Sequence, residues 1–384
     1  MDPAPGWLPP SPGLYVHVPF CRRRCGYCAF HAGEHRPAAA ARWLEALGRE
    51  ADARARGRAC ATAYVGGGTP TALDDGTLAR LLARLAPLAR RAREYTVEAN
   101  PGRLSPARAR LLRRGGADRL SLGVQTFQPR GLAALGRVQA PGAAAEAVAA
   151  ARRAGFRRIG LDLIAGWPGQ TLAEWRDDLG RAAALGPEHL SCYGLSVEPG
   201  TRLAAAAAAG RAALPDGDFG RDCWDEADRI LARAGYARYE TSNFCRPGGE
   251  CLHHAAAWTG GEYVGLGPAA HSHLRGRRSA NVADTARYAA RWLGEEPGGT
   301  EVFSEILPPA AKARETLVLW LRLSEGADRE AFARRTGLAL EEAAGGVLPG
   351  LLARGLLEWS GGGRRLRLPP ALRPVADGVL CELV

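Results

Sequence analysis

From residue 13 to about 235 the chain alternates short β-rich runs with longer Ala/Leu/Arg-rich stretches of helical spacing. The β-rich runs are LYVHV (14–18), TAYVG (62–66), YTVEA (95–99), RLSLGV (119–124), IGLDLI (159–164) and LSCYGLSV (190–197). The helical stretches are 37–56, 75–92, 105–114, 141–154, 171–184 and 218–234. Such alternation predicts an α/β fold with parallel strands and crossover helices. Six units in series, with no dinucleotide fingerprint after the first strand, predict a partial (β/α)6 barrel of the TIM type rather than a doubly wound sheet. The run LAAAAAAG (203–210) is explained by a short surface helix, since Ala is the best helix former.

The texture then changes twice. Residues 236–305 are irregular and rich in Gly, His and aromatics, and read as a connecting region after a barrel over 1–235. Beyond Pro308-Pro309, stretches 311–323, 328–337 and 339–355 read as helices, and 356–368 as a hairpin turned at Gly361–Gly363. Three helices and a hairpin predict a small winged-helix-like α+β domain over 306–384. DNA binding is one use of that shape, but docking modules share it.

Composition removes several classes. A chain of 384 residues can bury a full core without disulfides. It has no run of 18 apolar residues that would span a membrane. MDPAPGWLPPSPG lacks the basic and apolar regions of an export signal, so a cytoplasmic protein is expected. Lys312 is the sole lysine; without Gly-Lys-Ser/Thr there is no P-loop, and its helix is a poor place for a pyridoxal-phosphate Schiff base. The net charge of +11 permits an anionic partner. The arginines are spread along the chain, however, and ARRTG (333–337) is too sparse for a phosphate footprint, so no specific nucleic-acid partner is expected. Nine cysteines, an odd number, favour metal or redox use over a disulfide framework.

In such barrels chemistry sits at the C-terminal ends of the strands. There the chain places CRRRCGYC (21–28) after strand one, GGGTPT (66–71) after strand two and Glu98 near the end of strand three. Gln125 follows strand four, Asp162 lies in strand five and Tyr193 in strand six. The C-x3-C-x2-C spacing of Cys21, Cys25 and Cys28 offers three thiolates on one loop, which would leave one iron of a cubane open to a small-molecule ligand. The alternative is zinc, with His17 or His31 as the fourth ligand. The glycine loop lets the backbone approach a ligand closely. Glu98, before a strand-stopping Pro, can accept two ribose hydroxyl hydrogen bonds or simply be solvated. GLGPAA (265–270) only loosely imitates a Rossmann fingerprint and is discounted. Cys245, Cys251, His253, His254, His271 and His273 form a second metal-capable region, for zinc or haem.

LYVHVPFCRRRCGYCAF together with GGGTPT, VEANP, SLGVQTF, LGR, DLIAGWPGQT and YETSNFCRPG, in that order, resembles the radical S-adenosylmethionine (SAM) superfamily. Within it the chain resembles the HemN/HemW family of oxygen-independent coproporphyrinogen dehydrogenases and their haem-chaperone relatives, from about residue 13 to the C-terminus. The resemblance implies a [4Fe–4S] cluster on Cys21, Cys25 and Cys28, whose open iron takes the amino and carboxylate groups of SAM. It implies SAM contacts from Tyr15, Gly67, Gly68, Thr69, Glu98, Gln125, Arg137 and Asp162, with Gly67, Gly68 and Thr69 at the methionine end and Glu98 on the ribose.

The dehydrogenase branch has a further cysteine two residues after the third, and an additional N-terminal segment. Phe30 stands at that position here, and the chaperone branch typically has an aromatic there. The chaperone branch also carries H-N-x-x-Y-W in the region tied to haem. Here the run is His253-His254-Ala255-Ala256-Ala257-Trp258, which keeps the His and the Trp. Gln139 replaces the His that commonly follows LGR. The resemblance thus implies a haem chaperone rather than the alternative, a coproporphyrinogen III dehydrogenase. Its cargo is haem, with His253 or His254 as ligand and arginines such as Arg246, Arg275 and Arg277 for the propionates. Its partners are a recipient haem protein, an electron donor such as a flavodoxin or ferredoxin, and a second copy in a homodimer.

Overall fold

The computed structural model describes residues 11–384. The segment MDPAPGWLPP, on which the absence of an export signal was mainly read, lies outside the described residues. Six parallel strands lie side by side in chain order: β1 (Gly13–Val18), β2 (Thr62–Gly67), β3 (Glu94–Ala99), β4 (Arg119–Gln125), β5 (Arg158–Ala165) and β6 (His189–Gly194). They are linked by α1 (Pro37–Arg54), α2 (Asp75–Ala89), α3 (Pro106–Arg114), α4 (Ala143–Arg153) and α5 (Leu172–Ala184), and α6 (Gly217–Arg233) follows β6. The partial barrel of βα units is therefore present.

The period-2 pattern of the strands explains which face is which. Leu14, Val16, Val18, Val65, Val97, Leu120, Leu122, Leu161, Leu163 and Leu190 are buried in one core with the helices. Burying each such side chain contributes about 1.5–3 kcal/mol. The alternate positions carry Tyr15, His17, Tyr64, Glu98, Ser121, Asp162 and Tyr193, so the inner face is polar. Helix starts are fixed locally. Asp74 accepts from Thr77 N, Ser105 from Arg108 N, and Thr171 and Glu174 form a reciprocal capping box.

Residues 236–305, irregular by sequence, extend this sheet at both edges. Asn243–Cys245 pairs antiparallel to β6, while Tyr263–Leu266 runs parallel beside β1. An antiparallel meander follows through His271–Leu274, Arg277–Asn281 and Glu301–Ile306. These strands are short, and Gly265 interrupts any side-chain alternation. A Cβ there would fall 1.9 Å from the His271 carbonyl oxygen, so glycine is required by close packing.

A second hydrophobic core, from Ala313 to Leu383, belongs to the C-terminal domain. It holds helices Pro309–Leu321 and Arg329–Thr336 and the hairpin Glu358–Ser360/Arg365–Arg367. Gly361, Gly362 and Gly363 all take the left-handed conformation, with φ of 58°, 67° and 85°. The stretch read as one helix over 339–355 is broken into Leu340–Ala344 and Leu348–Ala353, because Gly345 adopts φ 67° between them. Among the described residues no helix is long and apolar enough to cross a membrane.

Candidate functional site

The loop after β1 carries Cys21, Cys25 and Cys28, each half-buried. A polar chain joins two of them through the neighbouring strand ends. The Cys21 Sγ lies 3.6 Å from Thr69 Oγ1, and Asn100 Nδ2 donates to the same oxygen at 3.2 Å. Arg137 Nη2 donates to Asn100 Oδ1 at 2.7 Å and to the Gly123 carbonyl at 2.6 Å, while Nη1 points at Cys25 Sγ at 3.6 Å. Burial pushes the thiols of Cys21 and Cys28 up, and the Thr69 hydroxyl partly opposes this at Cys21. Asn100 was not singled out from the sequence, although it lies in the quoted VEANP run.

The glycine loop lies flat against this site. Gly68 N donates to Val18 O and Thr69 N to Phe20 O, both at 2.8 Å. A Cβ on Gly68 would sit 2.6 Å from Phe20 O, and one on Gly67 (φ 100°) would strike the His17 ring at 2.6 Å. A Cβ on Gly66 would fall 2.7 Å from the Glu98 carboxyl carbon. Glycine is thus required at all three positions by close packing of the loop against β1, His17 and Glu98.

Glu98 Oε1 accepts from Tyr64 OH at 2.7 Å. Burial pushes Glu98 up to about 7, against the Tyr64 hydrogen bond and with a further push from Asp162. Asp162, itself raised by burial, accepts from Ser121 Oγ at 3.2 Å. Gln125 sits where the β4–β5 register slips, at φ 69°, a conformation uncommon for a residue with a side chain. Five neighbouring units therefore contribute Cys21, Gly67, Glu98, Gln125 and, from mid-strand, Asp162 to the inner face and mouth of the barrel.

The geometry gives a zinc site with His17 as fourth ligand no support. Both His17 nitrogens are engaged, Nδ1 with Tyr15 OH at 3.0 Å and Nε2 with the His31 carbonyl at 2.7 Å. Among the described residues no three His, Cys, Asp or Glu side chains stand close enough to hold one metal ion. A cubane puts each thiolate on a different iron, so its three sulfurs need not converge on a point. Three accessible thiols on one loop, beside the Arg137 cation, fit that donor set.

His253 and His254 lie on a short helix, Leu252–Trp258, that plugs the opposite end of the barrel. Glu94, at the start of β3, accepts from the backbone N of Leu252 at 3.0 Å and of His253 at 3.1 Å. Arg158 pairs with the same carboxylate at 2.8 Å. His253 Nδ1 lies 2.9 Å from Thr62 Oγ1, at the base of β2. His254 instead packs its ring on Tyr64, 4.9 Å between centroids, and lines a cavity of about 430 Å3 between the barrel and the C-terminal domain. Tyr193, Glu240, Trp258, Arg278 and Lys312 also line that cavity. The second metal-capable set does not converge. Cys251 is buried against Glu94, and His273 is held by the Gly261 carbonyl and Lys312 Nζ. Arg246 stacks on Tyr236 and Arg277 pairs with Glu301, away from the cavity.

The Radical SAM superfamily model matches residues 15–182, and the HemN C-terminal domain model residues 307–371. The haem chaperone HemW of Mycobacterium tuberculosis is 39% identical over 98% of this chain and 96% of its own length.

The chain belongs to the HemW family of the radical SAM superfamily.

HemW of Bacillus subtilis is 32% identical over 89% of this chain and 92% of its own. Among solved structures, the coproporphyrinogen III oxidase HemN of Escherichia coli superposes with a TM-score of 0.83 over 97% of this chain and 90% of that one, at 24% identity. That likeness is one of fold. Relative to the dehydrogenase branch, this HemW-family chain presents Phe30, 69% exposed, on the cysteine loop.

Proposed function

We propose that this chain is a radical SAM haem chaperone: it binds haem and delivers it to haem proteins in the cytoplasm. The near full-length likeness to HemW relatives carries this reading. Cys21, Cys25 and Cys28 would hold a [4Fe–4S] cluster, with SAM across the barrel mouth. When both are bound, the cluster supplies the electron for reductive cleavage of SAM. The chain's own residues position the cofactor. Gly67, Gly68 and Thr69 would lie along the methionine end, and the Glu98 carboxylate would accept from the ribose hydroxyls. Arg137 braces Cys25, Asn100 and β4 in one geometry. Tyr15, Gln125 and Asp162 complete the polar wall.

Haem would enter from the cavity beside the C-terminal domain. A neutral imidazole is a normal axial ligand, and burial lowers both histidines, His253 to about 3. The motif position favours His253. The structure favours His254, which faces the cavity while His253 is tied to Thr62. Arg278 and Lys312 line the cavity and are both paired there with Glu315, so propionates would bind by taking that carboxylate's place. The test is transfer: haem-loaded chain mixed with an apo-haem protein should lose its haem spectrum as the acceptor gains one. No transfer to any of several apo-acceptors, with haem bound stoichiometrically, would contradict the reading.

A further inference from the structure

We propose that Arg22, Arg23 and Arg24, with Arg202 and Phe30, form a docking face for an acidic one-electron carrier protein. This rests on reading Cys21, Cys25 and Cys28 as the cluster ligands. The three arginines fill the gap between the first two of those cysteines, so with about 3.8 Å per residue each is only one or two residues from a ligand. All three are exposed. Among the described residues the guanidiniums of Arg22, Arg23 and Arg24 have no carboxylate partner, although exposed arginines elsewhere, such as Arg42 and Arg130, are ion-paired.

The loop is held from beneath; Arg24 Nε donates to the Cys28 carbonyl at 3.3 Å, and the rest of its guanidinium and those of Arg22 and Arg23 are left to solvent. Gly26 N donates to the Leu135 carbonyl and His35 N to the Cys21 carbonyl, both at 2.9 Å. Arg202 Nη2 donates to the Arg24 carbonyl at 2.6 Å and adds a fourth positive charge to the rim. Phe30 supplies an exposed apolar contact, as interface centres commonly do. The exposed acids Glu34 and Asp284 flank the face, Glu34 beside Cys21 and Asp284 beside His31. They would repel a negative partner that approached off-centre and so help set its orientation. A carrier must bring its redox centre close to the cluster, and the layer it meets first is this basic loop. Opposite charge there raises the encounter rate. The exchange would move one electron from the reduced carrier to the cluster that Cys21, Cys25 and Cys28 would hold, oxidising the one and reducing the other, and no proton or group would move.

The probe is a reduced acidic [2Fe–2S] ferredoxin, used with the full chain after anaerobic reconstitution. Iron and sulfide are counted first; a parent chain that holds no cluster would refute the cysteine assignment before any donor is added. Ferredoxin binding is measured calorimetrically on cluster-loaded and cluster-free chain, and cluster reduction by stopped flow from low to high salt. The parent should bind in both forms, and its reduction rate should fall steeply with salt. Arg22→Glu/Arg23→Glu/Arg24→Glu should lose about tenfold or more in both affinity and rate at low salt. Its reduction by a small neutral photoreductant should be unchanged. Arg157→Glu, at the opposite end of the barrel, should behave as parent. The proposal is overturned if the triple variant, with intact cluster, binds ferredoxin and accepts its electrons as the parent does. It is equally overturned if a single-stranded oligonucleotide occupies this face while ferredoxin does not bind.

Discussion

The guanidinium of Arg137 bridges the cluster loop and the sheet, with Nη1 3.6 Å from Cys25 Sγ and Nη2 2.7 Å from Asn100 Oδ1. One planar fork holds a cysteine, a strand-end amide and, through the Gly123 carbonyl, the β4 end. Lysine has the charge but not the fork. Arg137→Lys should therefore retain less iron and sulfide after reconstitution than the parent, and Arg137→Ala less again. Each charge-assisted hydrogen bond lost costs about 1.5–3 kcal/mol locally. Iron content equal to the parent in both variants would contradict the bridging role.

The Glu98 carboxyl, pushed by burial to about 7 from 4.5, gives SAM binding a pH dependence. Ribose hydroxyls are best accepted by the charged form. SAM affinity should therefore rise as pH rises through about 7 and level off above it. The same shift makes folding stability fall as pH rises from 4.5 to about 7, since the folded state favours the protonated group. Glu98→Gln should flatten the affinity profile and weaken SAM binding about tenfold, the loss of one charge-assisted bond. Gly66→Ala should mimic that weakening, because its Cβ would displace the carboxyl group. Equilibrium dialysis with labelled SAM decides; a pH-dependent profile in Glu98→Gln would assign the titration elsewhere.

His254 lines the cavity and His253 does not, so the two alanine variants should differ. His254→Ala should weaken the Soret shift on haem titration by about tenfold or more in affinity. His253→Ala should change it less, and the double variant should lose it. The reverse order would return the ligand to the motif's own histidine position.

Glu94 is fully buried, pairs with Arg158, and caps the histidine helix. Burial alone would raise it, but Arg119, Arg158 and the helix N–H groups outweigh that and hold it below the usual carboxylate value. Its stabilising contribution is thus complete above the unfolded value of 4.5 and is lost as pH falls through the lower folded value. Breaking a buried pair costs about 3–5 kcal/mol. Glu94→Gln should lower the urea midpoint at neutral pH and lose that excess sensitivity on acidification. An unchanged midpoint would mean the pair is energetically idle.

The six βα units were legible because each strand alternates an apolar outer residue with a polar inner one, and each helix carries an apolar stripe. The last strand was read too long; LSCYGLSV leaves the sheet at Gly194, where Leu195 N turns to the Ala165 carbonyl. The edge strands after residue 236 were invisible because short Gly- and His-rich runs show no period. The cysteines, Glu98 and the glycine loop were legible from spacing and position. Asn100 and Tyr64 were not, since their roles depend on Arg137 and Glu98 arriving from other strands. Nor could spacing separate His253 from His254, because only the helix's docking on β2 and Glu94 turns one away from the cavity.

The most direct measurement is anaerobic reconstitution of the full chain with iron and sulfide, followed by parallel assays of one preparation. A haem titration should give a saturable Soret shift. Incubation with SAM, a reductant and coproporphyrinogen III should give no decarboxylated product. Turnover of coproporphyrinogen without saturable haem binding would contradict the chaperone account and make the chain a dehydrogenase.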